Sequence, residues 1–71
     1  MSTFLERLYD EQRELETKTH ALESFVDSNP IFETVSNIQR VLLINQLSSM
    51  QNYLYCLNER IADLSPKESV E

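Results

Sequence analysis

The chain has 71 residues, with 12 Asp and Glu against six Lys and Arg for a formal net charge of −6, no Gly, no Trp, one Cys and one His. That is room for one small domain, and a chain without Gly holds neither a P-loop nor a Rossmann fingerprint, both of which need Gly for close backbone approach to phosphate. The lone Cys56 closes no intrachain disulfide, the longest apolar run, Val41 to Ile44, is far too short for a bilayer, and the acidic balance opposes nonspecific binding to DNA or to anionic membrane.

The first element opens on Thr3-Phe4-Leu5-Glu6, a capping box in which hydroxyl and carboxylate each satisfy a backbone N–H left over at a helix start. From there Leu5, Leu8, Gln12, Leu15, Thr19, Leu22 and Val26 step alternately by three and four, a helical stripe interrupted at Gln12 and Thr19. Charged residues fill the outer face, with Glu14 and Lys18 in the favourable i,i+4 order. Asp27-Ser28-Asn29-Pro30 stops the helix, because Pro30 lacks an N–H and pushes Asn29 out of the α region.

Pro30 to Val35 reads as a short helical corner with Pro at its first position, and Ser36-Asn37-Ile38-Gln39 supplies a second capping box. The second long helix carries Leu43, Leu47, Met50, Leu54, Leu57, Ile61 and Leu64 at steps of four and three, ending at Ser65-Pro66. The expectation is all-α: an antiparallel helical hairpin in a single domain over 1–71, with helices at 3–28 and 36–64, a corner at 29–35 and a frayed tail at 65–71. One seam in a chain this short rarely gives more than about 3 to 5 kcal/mol without disulfides, metal or oligomerisation. The apolar residues near the turn, Phe25, Val26, Ile31, Phe32, Val35, Ile38, Val41, Leu42 and Ile44, are too dispersed for that seam. The 25 residues from Thr34 to Asn58 carry a single charge, Arg40. Both features predict a homo-oligomer, since interface cores are depleted of charge.

No nucleophile and base pair, no four-ligand zinc site and no bound cofactor is expected, because His20 is the only His and Cys56 the only Cys. Glu16 and His20 at i,i+4, and the carboxylates of Asp10, Glu11 and Glu14, read as a solvated face. Cys56 reads as a small apolar residue flanking the seam, Met50 as core filler. Three Tyr remain as rings that can stack on a base while touching water. Tyr53 and Tyr55, on opposite flanks of Leu54, suit packing; for Tyr9, packing and ligand stacking stand level.

Taken together, Arg7-Leu8-Tyr9, Glu11, Glu14-Leu15, Lys18, Leu22, Phe25-Val26 and Phe32, followed by Leu42-Leu43, Gln46-Leu47, Met50, Tyr53, Leu57 and Arg60-Ile61, form a pattern over residues 4 to 64. It resembles the helical hairpin shared by the phage anti-CBASS sponge and the anti-Thoeris sponge. The resemblance implies a protein that sequesters cyclic nucleotide immune signals, cyclic di- or trinucleotides, without cleaving them. It implies hexamers with pockets between protomers, acting in the cytoplasm of the infected bacterium, with no DNA or membrane partner. On the matching positions Tyr9 falls where the family has a stacking Tyr, Arg60 matches a recurring Arg of the second helix, and Ser24 stands where the family has a phosphate-contacting Lys; Arg7 and Lys18 are nearby cations that would meet the ligand only if the subunit arrangement brings them in. The competing expectation is an oligomeric hairpin that acts as an adaptor or assembly factor, binding another protein through its uncharged second helix.

Overall fold

In the computed structural model, which describes residues 3–65, helix α1 runs Phe4–Ser28 and helix α2 runs Asn37–Leu64, with a 3₁₀ corner at Pro30–Thr34 between them. Local chemistry sets each boundary. Thr3 is extended, its Oγ1 accepts from the Glu6 N–H at 3.0 Å, and its own N–H donates to Glu6 Oε1 at 2.9 Å, so the first capping box is complete. Asn29 ends α1 and starts the corner: its N–H donates to the Phe25 carbonyl while its Oδ1 accepts from the Ile31 N–H at 2.9 Å, and Pro30 follows at the position where a missing N–H costs nothing. Ser36 Oγ accepts from the Gln39 N–H and starts α2, but the Gln39 side chain makes no return bond, so the expected second capping box is only half formed. Ser65 ends it, with both its N–H and its hydroxyl donating to the Ile61 carbonyl. The expected Pro66 stop and the tail beyond it lie outside the described residues.

The two helices pack antiparallel along one seam, as the stripes predict. Leu8, Leu15 and Leu57 are buried in it, with Met50, Leu54 and Ile61 packed around them. Thr19, which interrupts the apolar stripe, is 1% exposed; its Oγ1 donates to the Leu15 carbonyl one turn back at 2.7 Å, so no polar atom is stranded. At the corner Phe32 is buried, edge-to-face against Phe25 with ring centroids 5.8 Å apart. Arg40 reaches back over the corner, donating to the carbonyls of Glu33 and Val35 and to Asn37 Oδ1. It is a structural clamp, a role its isolation in an uncharged stretch does not announce.

Two sequence expectations are corrected. Cys56 is exposed, not set beside the seam, because it falls on the side of α2 opposite Leu54, Leu57 and Ile61. The i,i+4 pair of Glu14 and Lys18 forms no ion pair; among the described residues the ion pair made on α1 is Arg13 with Asp10.

Candidate functional site

An antiparallel hairpin has two flanks along its seam, and the contacts between helices identify both. One carries Tyr9, Gln12 and Glu23 of α1 against Ser65, Asn58 and Gln51 of α2: the Tyr9 hydroxyl pairs with Ser65 Oγ at 3.2 Å, Gln12 Nε2 donates to Asn58 Oδ1 at 3.2 Å, and Gln51 Nε2 donates to Glu23 Oε2 at 2.8 Å. The other is identified by Arg60, whose guanidinium carbon lies 5.9 Å from the centroid of the Phe4 ring. Phe4, Arg7, Glu11 and Lys18 share this flank of α1 by steps of three, four and seven, and Tyr53 shares it on α2, seven residues before Arg60.

Tyr9 and the three candidate cations therefore lie on opposite flanks of one hairpin. Tyr9 stays 38% exposed but commits its hydroxyl to Ser65, which ties the end of α2 to the first turns of α1. Arg7 and Arg60 are both near the Phe4 end of the rod; Lys18 is three turns further along, about 16 Å from Arg7 at 1.5 Å per residue. Ser24 is further still and faces outward, with its carbonyl accepting from the Ser28 hydroxyl. In a chain with twice as many acids as bases, Arg7, Lys18 and Arg60 share this flank with Glu11, and none of the three is ion-paired among the described residues.

Phe4 is the residue that sequence reasoning missed. It was absorbed into the capping box, yet its ring is 55% exposed and carries the guanidinium of Arg60 above its face. The signal was present in the pairing of the stripes, since the register that sets Gln12 beside Asn58 also sets the start of α1 beside the last turns of α2. On the outer face of α1 two open depressions flank Arg13, one lined by Glu6, Tyr9 and Asp10, the other by Glu14, Thr17 and Lys18. His20 is exposed, Glu16 half-buried, and among the described residues no group of three or more His, Cys, Asp or Glu is placed to hold a metal ion.

The comparisons with known proteins give this hairpin its family. A family model described as Sequestin matches residues 2–63. The chain belongs to the Sequestin family. It is also similar to the protein of Enterobacteria phage T4 described as an uncharacterized 7.5 kDa protein in the denB-rIIB intergenic region, with 39% identity over 62 residues, 87% of this chain and 95% of that protein. No solved structure matches it. The family's description, Sequestin, points to a protein that sequesters and so to binding rather than to catalysis. Among the described residues, two exposed surfaces of this Sequestin hairpin are the flank that carries Phe4, Arg7, Glu11, Lys18 and Arg60 on one side and the uncharged back of α2 on another. No helix of the chain is long and apolar enough to cross a membrane among the described residues.

Proposed function

We propose that the protein captures a cyclic nucleotide signal of the host's antiviral defence, a cyclic di- or trinucleotide, and holds it intact so that its effector is starved of activator. It does so as a homo-oligomer, a hexamer by the sponge resemblance, with the ligand between protomers. The observation that carries this reading is the flank formed by Phe4, Arg7 and Arg60, extended by Lys18. A cyclic nucleotide presents flat bases and phosphate oxygens; Phe4 offers a ring face, and the guanidiniums of Arg7 and Arg60 offer donors in a planar fork suited to phosphate and to stacking. Tyr9, on the other flank, joins the same ligand from a neighbouring copy, and so does Lys18. Ser24, which stands where the sponge resemblance has a Lys, adds a hydroxyl and no charge, and in this reading the phosphate contacts fall to the Arg residues.

The second reading is an adaptor that binds another protein, favoured by the uncharged back of α2. Isothermal titration against cyclic dinucleotides and cyclic trinucleotides, with linear dinucleotides as controls, separates the two. A sponge binds one class of ring tightly and releases it chemically unchanged when the complex is heated. Absence of binding across the panel, or recovery of a hydrolysed product, overturns the sponge. Phe4→Ala and Arg60→Ala are each expected to weaken binding by roughly five- to 150-fold, the range set by one stacking contact of about 1 to 3 kcal/mol. Ser24→Lys is expected to tighten it. A Phe4→Ala protein that stays folded and binds like the parent would move the site to the Tyr9 flank.

A further inference from the structure

At the open end of the hairpin the Tyr9 hydroxyl and Ser65 Oγ lie 3.2 Å apart, across 56 positions of sequence. The direction of this bond follows from Ser65. A serine hydroxyl carries one proton, and here that proton goes to the Ile61 carbonyl at 2.7 Å, one turn back in α2. Ser65 Oγ therefore meets Tyr9 with lone pairs only, and Tyr9 is the donor. The Tyr9 hydroxyl, the Ser65 hydroxyl and the Ile61 carbonyl form a chain that ties a side chain of α1 to the closing turn of α2, where the Ser65 N–H donates to the same carbonyl.

Tyr9 follows the buried Leu8, so its ring lies at the margin of the seam, half open to solvent, where it lines a depression with Glu6, Asp10 and Arg13. An aromatic side chain on a helix has two accessible χ1 wells, at about 180° and −60°, the third being closed by the preceding turn. A change of well swings the hydroxyl away from any fixed partner, so a bond at the tip of the ring selects one well.

We infer that Ser65 is a positioning residue for Tyr9: its oxygen holds the ring in one χ1 well before a ligand arrives and, by taking the phenol proton, leaves Tyr9 with a ring face and an acceptor oxygen to offer. What the ring meets rests on the cyclic nucleotide reading above; the hold does not. Within that reading Tyr9 stacks on a base and accepts from a base N–H or a ribose hydroxyl, while the phosphate oxygens, which need donors, are met by the cations and not by the Tyr9 hydroxyl. Ordering the side chain in advance removes part of the entropic cost of binding, on the order of two- to tenfold in affinity.

The Hα–Hβ couplings of residue 9, measured by nuclear magnetic resonance on the full chain without ligand, read the hold directly. The parent and Ser65→Thr, which keeps the hydroxyl, are expected to show one large and one small coupling, the mark of a single well. Ser65→Ala and Tyr9→Phe are expected to show two intermediate couplings, averaged over two wells, with helical circular dichroism unchanged because the backbone N–H at position 65 still caps α2. Titrated with cyclic dinucleotides and cyclic trinucleotides, Ser65→Ala is expected to bind about two- to tenfold more weakly than the parent and Ser65→Thr to match it. Tyr9→Phe combined with Ser65→Ala is expected to bind no more weakly than Tyr9→Phe alone, since both changes remove one bond. A single well in Ser65→Ala overturns the hold. Parent-like binding by Ser65→Ala, or losses that add in the double variant, overturns its part in capture and leaves the sponge reading standing. If the parent binds no ring, the sponge reading falls, and the couplings still decide whether Ser65 holds Tyr9.

Discussion

Leu57 is 0% exposed and sits in the cluster with Leu8 and Leu15 that holds the hairpin shut. With so few buried side chains to share the load, truncation at this position leaves a void the seam has little means to close. Leu57→Ala is expected to cost about 2 to 5 kcal/mol, read as a lowered midpoint of urea unfolding, and in a single-seam hairpin that is most of the stability. Thr19 makes the opposite point. Its hydroxyl is bonded to the Leu15 carbonyl within its own helix, not across the seam, so Thr19→Val removes no partner of α2 and keeps the shape of the side chain. The expected unfolding midpoint is equal to or above the parent's, since a Thr that bonds back to i−4 slightly disfavours a helix; a loss of more than about 1 kcal/mol would mean that the hydroxyl fixes the register. The apolar stripes were legible residue by residue because period and burial coincide. Cys56 is the exception: its apolar character suggests the seam, but its spacing, two residues after Leu54, sets it on the opposite side of α2.

The elements were the most legible part of the molecule. Thr3 and Glu6, Asn29 and Pro30, and Ser36 each combine a side-chain acceptor with a backbone donor two or three residues on, a chemistry that depends only on near neighbours in sequence. The corner is different. Its shape depends on Arg40, five to seven residues beyond the carbonyls it binds, and on the edge-to-face contact of Phe25 with Phe32. Neither has a local signature. Arg40→Ala should unfasten the corner and cost about 1.5 to 3 kcal/mol, the range for hydrogen bonds to a charged group. Hydrogen exchange would then accelerate first at the corner and the first turn of α2, while amides around Leu15 and Leu57 keep their relative protection. Uniform acceleration along both helices would mean that corner and seam unfold as one unit. The site was half legible for a related reason: the helix period alone sets Arg7 and Lys18 on the side of α1 away from Tyr9, but the flank that Arg60 of α2 joins is a property of how two helices are rotated against each other. That rotation is recorded in pairs such as Gln12 with Asn58 and Phe4 with Arg60, not in either helix alone.

For the whole molecule, the decisive quantity is how little of the chain a lone hairpin covers. Its radius of gyration is 16.1 Å, against about 11 Å for a compact chain of this length, and its exposed large apolar side chains include Ile31, Ile38, Val41, Leu42 and Ile44 near the corner. If stability is shared between the intrachain seam and contacts with further copies, unfolding is coupled to dissociation and obeys mass action. Raising the protein concentration from 1 to 100 µM then adds about 2.7 kcal/mol to the stability of a dimer, which for about 140 residues corresponds to a rise in melting temperature of roughly 5 to 10 °C. A melting temperature that does not move over this range would assign all of the stability to the single seam. Leu57→Ala provides the control, because it weakens the seam inside each copy without touching the back of α2. It should lower the melting temperature at every concentration and keep the slope, whereas Asn52→Arg, which puts a charge on the uncharged back of α2, should flatten the slope and converge on the parent at the lowest concentration.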